Sequence, residues 1–205
     1  MVPPWLISSP QICNKLCSVQ ENKSNNPIAM KQLALEHIMI QSLNHLYTDG
    51  SKDDVGVGYA VYGNNIQVQA SLNNKASVFT AELLAIKSAL ISVRKNHLNE
   101  VTIFSDSLSS INAINSYTSK HKIVNEIRFV LHEMKLHKIS VTLCWIPSHI
   151  GLEGNEKADM YAKEAKGRPA STELIPVEDY IRYSKSRKSR KNGKIIGEKT
   201  IMIIN

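Results

Sequence analysis

Four acidic residues stand in settings where a solvated carboxylate is not expected. Asp49 and Asp106 each follow an apolar, strand-like run, Glu82 lies in the first turns of an apolar helix pattern, and Asp159 lies inside a later helix pattern. If the fold gathers these side chains, they would repel one another or take up protons unless cations are bound. The arrangement therefore predicts a paired Mg²⁺ site that serves phosphodiester hydrolysis.

Each carboxylate also has an ordinary structural interpretation. Asp49 precedes Gly50, and Asp-Gly is a common turn pair, so a turn is the better interpretation of Asp49 taken alone. A solvated helical residue is likewise the better interpretation of Asp159 taken alone. Glu82 could be an ordinary residue of the first helical turns, and Asp106 could be a helix cap. For each of these two residues, the structural and the functional interpretations are balanced.

His149 discriminates best between these interpretations. It follows the end of a predicted strand and lies in a segment with Gly151 and Gly154, which predicts a mobile loop. An imidazole that titrates near neutrality can pass a proton between water and a leaving oxygen. The loop could bring His149 to a scissile phosphate.

The elements that must position these residues follow from the hydrophobic periodicity. Alternation predicts three antiparallel strands over residues 46–49, 55–62 and 66–70, turned at Gly63-Asn64-Asn65. Helical spacing begins at Val78 with Ser77 as its cap. The remaining elements are a strand over 101–104, helices over 108–114 and 123–137, a strand over 139–145 and a helix over 153–165. Strands separated by helices predict parallel pairing, and hence an α/β fold with a mixed five-stranded sheet flanked by helices. Gly56 and Gly58 weaken a strand and predict close approach of another element.

The chain of 205 residues suits one domain with extensions. Residues 1–45 are predicted to be a leader or linker with a short helix near 28–43, residues 46–166 the domain, and residues 167–205 a basic, disordered tail. The net charge of +7 lies mainly in this tail, because residues 46–165 hold 12 basic and 12 acidic side chains. The net charge of the domain therefore does not by itself predict a polyanionic ligand.

The cysteine usage indicates a reducing compartment, since three cysteines do not form a disulfide framework. Cys13 and Cys17 could begin a zinc site, but the sequence shows no His or Cys partner at ligand spacing, so zinc is not expected. Cys144 is interpreted as a core residue. The N-terminus lacks signal-peptide features and no apolar run reaches the length of a membrane span, so we expect an intracellular, cytoplasmic or nuclear monomer without a membrane.

The motifs around these acidic residues resemble those of type 1 ribonuclease H, and most closely the ribonuclease H domain of non-LTR retrotransposon reverse-transcriptase proteins. The resemblance covers residues 46–165. The matching motifs are Tyr47-Thr48-Asp49-Gly50-Ser51, Ala81-Glu82-Leu83, Ser105-Asp106-Ser107, Trp145-Ile146-Pro147-Ser148-His149 and Asn155-Glu156-Lys157-Ala158-Asp159. Pro3-Pro4-Trp5-Leu6 also resembles the segment that links polymerase and nuclease in such elements.

The resemblance implies hydrolysis of the RNA strand of RNA:DNA hybrids by a two-metal-ion mechanism. The ligands of two Mg²⁺ ions, for which Mn²⁺ can substitute, would be Asp49, Glu82, Asp106 and Asp159. His149 would assist product departure. The expected substrate contacts are Gly50, Ser51, Ser107 and Asn155. Selectivity for RNA would come from 2′-hydroxyl contacts across the wide minor groove.

One departure from the family pattern concerns substrate binding. Bacterial members carry a basic helix and loop where this chain has only residues 116–122. We therefore expect weak affinity for hybrids unless the basic tail, or a reverse-transcriptase domain in a larger chain, supplies phosphate contacts. For the tail itself, a solvated or nuclear-targeting run is an equally good interpretation.

Two other functions remain open from the sequence. One is a catalytically silent nucleic-acid-binding module, against which the four carboxylates argue. The other is a transposase or integrase on the same fold, which would lack a Glu in the first helix, so Glu82 and the His149 loop argue against it.

Overall fold

The fold is built on one mixed six-stranded sheet with helices on both faces. The computed structural model describes residues 7–17, 26–171 and 175–186. The strands are β1 (Gln11–Cys13), β2 (His45–Lys52), β3 (Val57–Gly63), β4 (Ile66–Leu72), β5 (Glu100–Ser105) and β6 (Ser140–Trp145). The helices are α1 (Pro27–Met39), α2 (Val78–Lys95), α3 (Leu108–Asn115), α4 (Lys122–Leu136) and α5 (Glu153–Ala165). Residues 177–186 form a further helix.

One half of the sheet is the antiparallel meander that the sequence predicts. β3 pairs antiparallel with both β2 and β4. The hairpin between β3 and β4 turns at Asn64 and Asn65, whose φ angles of 49° and 59° lie in the left-handed region that asparagine tolerates. The predicted meander and its turn are therefore confirmed.

The other half of the sheet is parallel. The strand order is β1-β6-β5-β2-β3-β4, and β5 pairs in parallel with both β2 and β6. The prediction of a mixed sheet flanked by helices is confirmed, but the sheet has six strands because β1 adds to the edge of β6. A strand of three residues is too short to show an alternating pattern in the sequence.

Helices α2 and α5 pack closely on opposite faces of the sheet. A Cβ atom added at Gly50 would lie 2.5 Å from the backbone nitrogen of Glu82 in α2. A Cβ atom added at Gly58 would lie 2.4 Å from the carbonyl oxygen of Ala162 in α5. Gly58 is adjacent in β3 to Tyr59, the residue paired with Gly50, so the two glycines face opposite sides. The close approach predicted at Gly58 is confirmed.

The segment before β2 is part of the fold rather than a simple leader. The predicted short helix is present as α1, which Asn26 caps by accepting a hydrogen bond from the backbone N–H of Ala29 at 3.0 Å. Met30 and Ala34 of α1 are buried in a core cluster that also contains Phe104 and Trp145. Order therefore begins before Leu46, where the sequence had placed its start.

The first part of the predicted tail also packs on the domain. Ile175 is buried against the main core, and the Asp179 carboxylate accepts a hydrogen bond from the backbone N–H of Ser77 at 2.8 Å. The short apolar stretch around Ile175 contains Pro176 and is too short to show a helical or strand period in the sequence. Residues 175–186, which belong to the tail predicted to be disordered, therefore pack on the domain, whereas residues 172–174 and 187–205 lie outside the part of the chain described.

Within the described ranges, no helix combines the length and the apolar character that crossing a membrane would need.

Candidate active site

The register of the parallel strands brings Asp49 and Asp106 together. β2 pairs with β5 so that Thr48 lies opposite Ser105. Asp49 comes next within β2, which continues to Lys52 rather than ending at Asp49 as predicted. Asp106 directly follows the carboxyl end of β5, where α/β folds place their ligands. Asp49 is buried and Asp106 half-buried. Strand pairing alone therefore sets two carboxylates side by side.

Glu82 reaches this edge from α2. The helix starts where the Ser77 hydroxyl accepts a hydrogen bond from the backbone N–H of Thr80 at 3.1 Å, which confirms the predicted cap. The absence of a side chain at Gly50 lets the Glu82 backbone approach β2 closely. Oxygen atoms of Asp49, Glu82 and Asp106 all lie within 4.8 Å of one another. Three of the four predicted carboxylates thus form one cluster.

Burial and mutual repulsion make this cluster costly to ionise. Burial, followed by the charges of Asp106 and Asp159, raises the pKa of Asp49 to about 7. Burial and the charges of Asp49 and Asp106 raise the pKa of Glu82 well above its usual value. Burial also raises the pKa of Asp106, although the Asn155 hydrogen bond and His149 oppose the shift. The cluster must therefore hold protons or bind cations.

The donor set fits a hard divalent cation. All three groups offer carboxylate oxygens, which Mg²⁺ prefers. The Oε2 atom of Glu82 is buried and has no hydrogen-bond partner among the residues that the structure describes. An unsatisfied buried carboxylate oxygen beside two others is the pattern expected of a metal ligand.

Asp159 lies beside the cluster rather than within it. Its charge raises the pKa of Asp49, Glu82 and Asp106, which places it near all three. Its carboxylate is paired at 2.6 Å with Lys163, one turn later on α5. The attraction of this lysine offsets repulsion from the three buried carboxylates. The structure therefore gathers three predicted acidic residues and places the fourth at their margin.

His149 is exposed on the loop between β6 and α5. Its φ angle is 54°, in the left-handed region, and the following Gly151 has a φ angle of 75°. A ring nitrogen of His149 lies within 4.8 Å of carboxylate oxygens of Asp159 and Glu156, and its charge lowers the pKa of Asp106. The predicted loop thus holds an imidazole next to the acidic cluster.

Two side chains hold Asp106 in place. The Asn155 amide donates to the carboxylate Oδ2 atom at 3.1 Å, and the Trp145 indole N–H donates to the Asp106 carbonyl oxygen at 3.1 Å. The Oδ1 atom of Asn155 is buried without a partner in the described part of the chain. Trp145 was not predicted to have a role, although its position as the last residue of β6, directly before the His149 loop, was a usable signal.

The other predicted contact residues surround the cluster. Ser51 follows Gly50 on β2 and accepts a hydrogen bond from the Lys166 ammonium at 3.1 Å. The Ser107 hydroxyl donates to the Ser110 hydroxyl at 2.9 Å at the start of α3. Lys163 and Lys166 were not predicted; the spacing of four residues between Asp159 and Lys163 was the only local signal for either.

Comparison with known proteins places the fold and the site in a family context. A family model described as RNase H matches residues 41–166. Human ribonuclease H1 is 26% identical over 138 residues, covering 58% of this chain and 48% of the human protein. Mouse ribonuclease H1 is 25% identical over 138 residues, covering 58% of this chain and 48% of the mouse protein. The chain thus spans about half the length of the curated relatives it matches.

A solved structure of ribonuclease H1 from the halophilic archaeon Halobacterium salinarum NRC-1 is similar, with a TM-score of 0.46 and 18% identity. The match covers 60% of this chain and 96% of the archaeal chain.

Proposed function

Because this chain belongs to the RNase H family, we propose that it is an endoribonuclease that hydrolyses the RNA strand of RNA:DNA hybrids. The family model matches residues 41–166, and the α/β mixed sheet with flanking helices is the fold of that family. The observation that carries the proposal is the buried cluster of Asp49, Glu82 and Asp106 at the carboxyl end of the parallel strands. A cluster of this kind needs positive charge, and a phosphodiester brought to it needs the same charge for its hydrolysis.

The acidic residues would hold two Mg²⁺ ions, for which Mn²⁺ can substitute. Asp49, Glu82 and Asp106 would be the central ligands, and Asp159 would join them when its carboxylate leaves Lys163. When bound, the ions supply the charge that makes water nucleophilic at neutral pH and stabilises the leaving 3′ oxygen. Asn155 and Trp145 keep Asp106 oriented toward the cluster.

His149 would carry protons at the margin of the site. It is exposed and lies on a loop that contains Gly151. A ring nitrogen lies within 4.8 Å of a carboxylate oxygen of Asp159. A protonated ring can donate its proton to the leaving 3′ oxygen, which departs as a 3′-hydroxyl, and the imidazole can then take up a new proton from water. The exposed position of His149, outside the buried cluster, supports a role in product release.

The substrate would lie across the edge formed by the ends of β2 and β5. We propose that Gly50, Ser51, Ser107 and Asn155 contact the hybrid there, through backbone amides and hydroxyl groups that meet phosphates and 2′-hydroxyls. Only residues 116–121 separate α3 from α4, so this surface has no inserted basic helix. The excess of basic residues after Lys166 would supply phosphate contacts in its place.

We further propose that the chain derives from the ribonuclease H domain of a non-LTR retrotransposon protein. The order of the four acidic motifs and the His149 segment supports this origin. The Pro3-Pro4-Trp5-Leu6 motif that also supports it lies outside the described residues. A reverse-transcriptase domain in a larger chain would then be the natural partner. We propose an intracellular monomer, in the cytoplasm or nucleus, in line with three free cysteines.

The test is cleavage of an RNA:DNA hybrid with labelled RNA while Mg²⁺ is titrated, beside an all-RNA and an all-DNA duplex. We expect metal-dependent cleavage of the hybrid alone, leaving 5′-phosphate and 3′-hydroxyl ends. Hybrid binding without turnover at any Mg²⁺ or Mn²⁺ concentration would instead identify a silent binding module. Cleavage of DNA ends would identify a transposase-like nuclease, and either result would overturn the proposal.

Replacing His149 by asparagine should slow multiple-turnover cleavage by about 100-fold, the lower end of general acid–base contributions. Asparagine suits the positive φ angle of 54°, so the loop should keep its shape. If His149 acts in product release, single-turnover cleavage should fall much less than steady-state turnover.

The matched control is His97→Asn, an exposed histidine with a φ angle of 52° before the amino end of β5, at the other end of that strand from Asp106. It should leave both rates unchanged. Equal loss of single-turnover and steady-state rates in His149→Asn would show that product release is not the step that His149 serves.

A further inference from the structure

A second group of metal-binding side chains lies on the first strand and helix, apart from the acidic cluster. Cys13 on β1 is the register partner of Cys144 on β6, so their side chains lie on neighbouring strands. His37 of α1 lies over them, with its Nε2 atom 3.2 Å from the Cys13 sulfur and 3.5 Å from the Cys144 sulfur. Ligand atoms of all three residues lie within 4.8 Å of one another.

The geometry matches a tetrahedral zinc centre. Zinc bonds of about 2.3 Å to sulfur and about 2.0 to 2.1 Å to nitrogen, at a tetrahedral angle, separate sulfur and nitrogen by about 3.6 Å. The two observed separations of 3.2 and 3.5 Å are close to this value.

The surroundings suit a neutral imidazole and a closed site. His37 is only 7% exposed and Cys144 is fully buried. Burial, together with Lys15, lowers the pKa of His37, which keeps the imidazole in the neutral form that binds metals. Burial raises the pKa of the Cys144 thiol, so a thiolate there needs a cation beside it.

A further cysteine lies on the same segment, outside this group of three. Cys17 follows Cys13 at a spacing of four residues, within the range of paired zinc ligands, and ends a short helical turn whose Cys17 N–H donates to the Asn14 carbonyl at 3.0 Å. Burial, followed by the charge of Cys13, raises the pKa of Cys17. Zinc was not expected from the sequence because no His or Cys partner stands at ligand spacing. The structure supplies those partners from α1, 24 residues after Cys13, and from β6, more than 100 residues after it.

We propose that Cys13, His37 and Cys144 form a structural Zn²⁺ site, with Cys17 as the fourth ligand. Soft thiolate and imidazole donors favour zinc over the magnesium expected at the acidic cluster, so the two sites take different ions. Because its ligands come from β1, α1 and β6, the zinc site would stabilise the packing of the three-residue edge strand β1 and of α1 against β6. It is independent of the proposed nuclease activity.

The test is the metal content of the full chain, purified with a thiol reductant and without chelators, then loaded with zinc and freed of excess. We expect one zinc per chain by elemental mass spectrometry. His37→Asn and Cys144→Ser should each weaken zinc binding by at least about 100-fold, while His97→Asn, which alters an exposed histidine outside the cluster, should bind as the wild type does.

Cobalt substitution of the wild-type chain gives a readout that does not depend on variants that fold. Co²⁺ bound by thiolates in tetrahedral geometry should produce visible absorption and a sulfur-to-metal charge-transfer band, both removed by added zinc. Absence of one-to-one zinc, zinc retained by both variants, a cobalt spectrum without thiolate bands, or a Cys13 to Cys144 disulfide that persists with zinc present would each overturn the proposal.

Discussion

Replacing Asp49 by asparagine should abolish hydrolysis of the RNA strand while leaving the chain folded. Asp49 is a buried member of the cluster, and the β2 and β5 register places it beside Asp106. Loss of its charge removes one ligand of the bound cations and weakens the stabilisation of charge that develops on the phosphate. We expect a fall of at least about 1,000-fold in the cleavage rate, equivalent to about 4 kcal/mol. Single-turnover cleavage of a labelled hybrid at saturating Mg²⁺ measures it.

The control for this variant is Asp54→Asn, which changes an exposed aspartate in the loop between β2 and β3. It should cleave the hybrid at the wild-type rate. Asp106→Asn should behave like Asp49→Asn, because both residues belong to one cluster. Full activity of Asp49→Asn or Asp106→Asn, with circular dichroism unchanged, would remove the acidic cluster from the mechanism.

The free energy of unfolding of the metal-free protein should decrease as the pH rises from about 4 to about 7. The pKa of Asp49 is raised from 3.8 to about 7, and burial raises those of Glu82 and Asp106 in the same direction. Over this range the folded state binds more protons than the unfolded state, so stability falls with pH. The shift of Asp49 alone corresponds to a loss on the order of 4 kcal/mol. Urea unfolding in a chelator at several pH values measures it.

Two comparisons isolate the cause of this pH dependence. Asp49→Asn should reduce the slope and should be more stable than the wild type above pH 7 in chelator, because the repulsion is gone. Mg²⁺ should stabilise the wild type above pH 7, by about 2.7 kcal/mol at one hundred times its dissociation constant. Stability that rises with pH in chelator would contradict the raised pKa values.

Local patterns were sufficient for much of the domain. Ser77 before an apolar helical spacing predicted the start of α2, and Asn64-Asn65 predicted the hairpin, since caps and turns depend on neighbouring residues only. Gly58 predicted the approach of another element, and α5 occupies that place. The type and order of the acidic motifs predicted which side chains would meet, and three of the four do.

Features that depend on distant residues escaped the sequence analysis. β1 owes its structure to pairing with β6, more than 100 residues later, and residues 175–186 are ordered by contacts such as that of Asp179 with Ser77. Asp159 forms an ion pair with Lys163 at the margin of the cluster and does not join the other three carboxylates. Its place reflects attraction to the lysine and repulsion from the carboxylates, and both depend on the position of α5.

The amino-acid sequence by itself determined the chemistry available to this protein: carboxylates at strand ends and helix starts, an imidazole in a glycine-containing loop, and the elements that carry them. Only the tertiary structure decided which groups share a site. Strand register set Asp49 against Asp106, the gap at Gly50 admitted Glu82, and the edge pairing of β1 brought Cys13 to Cys144 and His37. The reason is that hydrogen-bonded register and close packing act between residues far apart in the chain, where no local pattern records them.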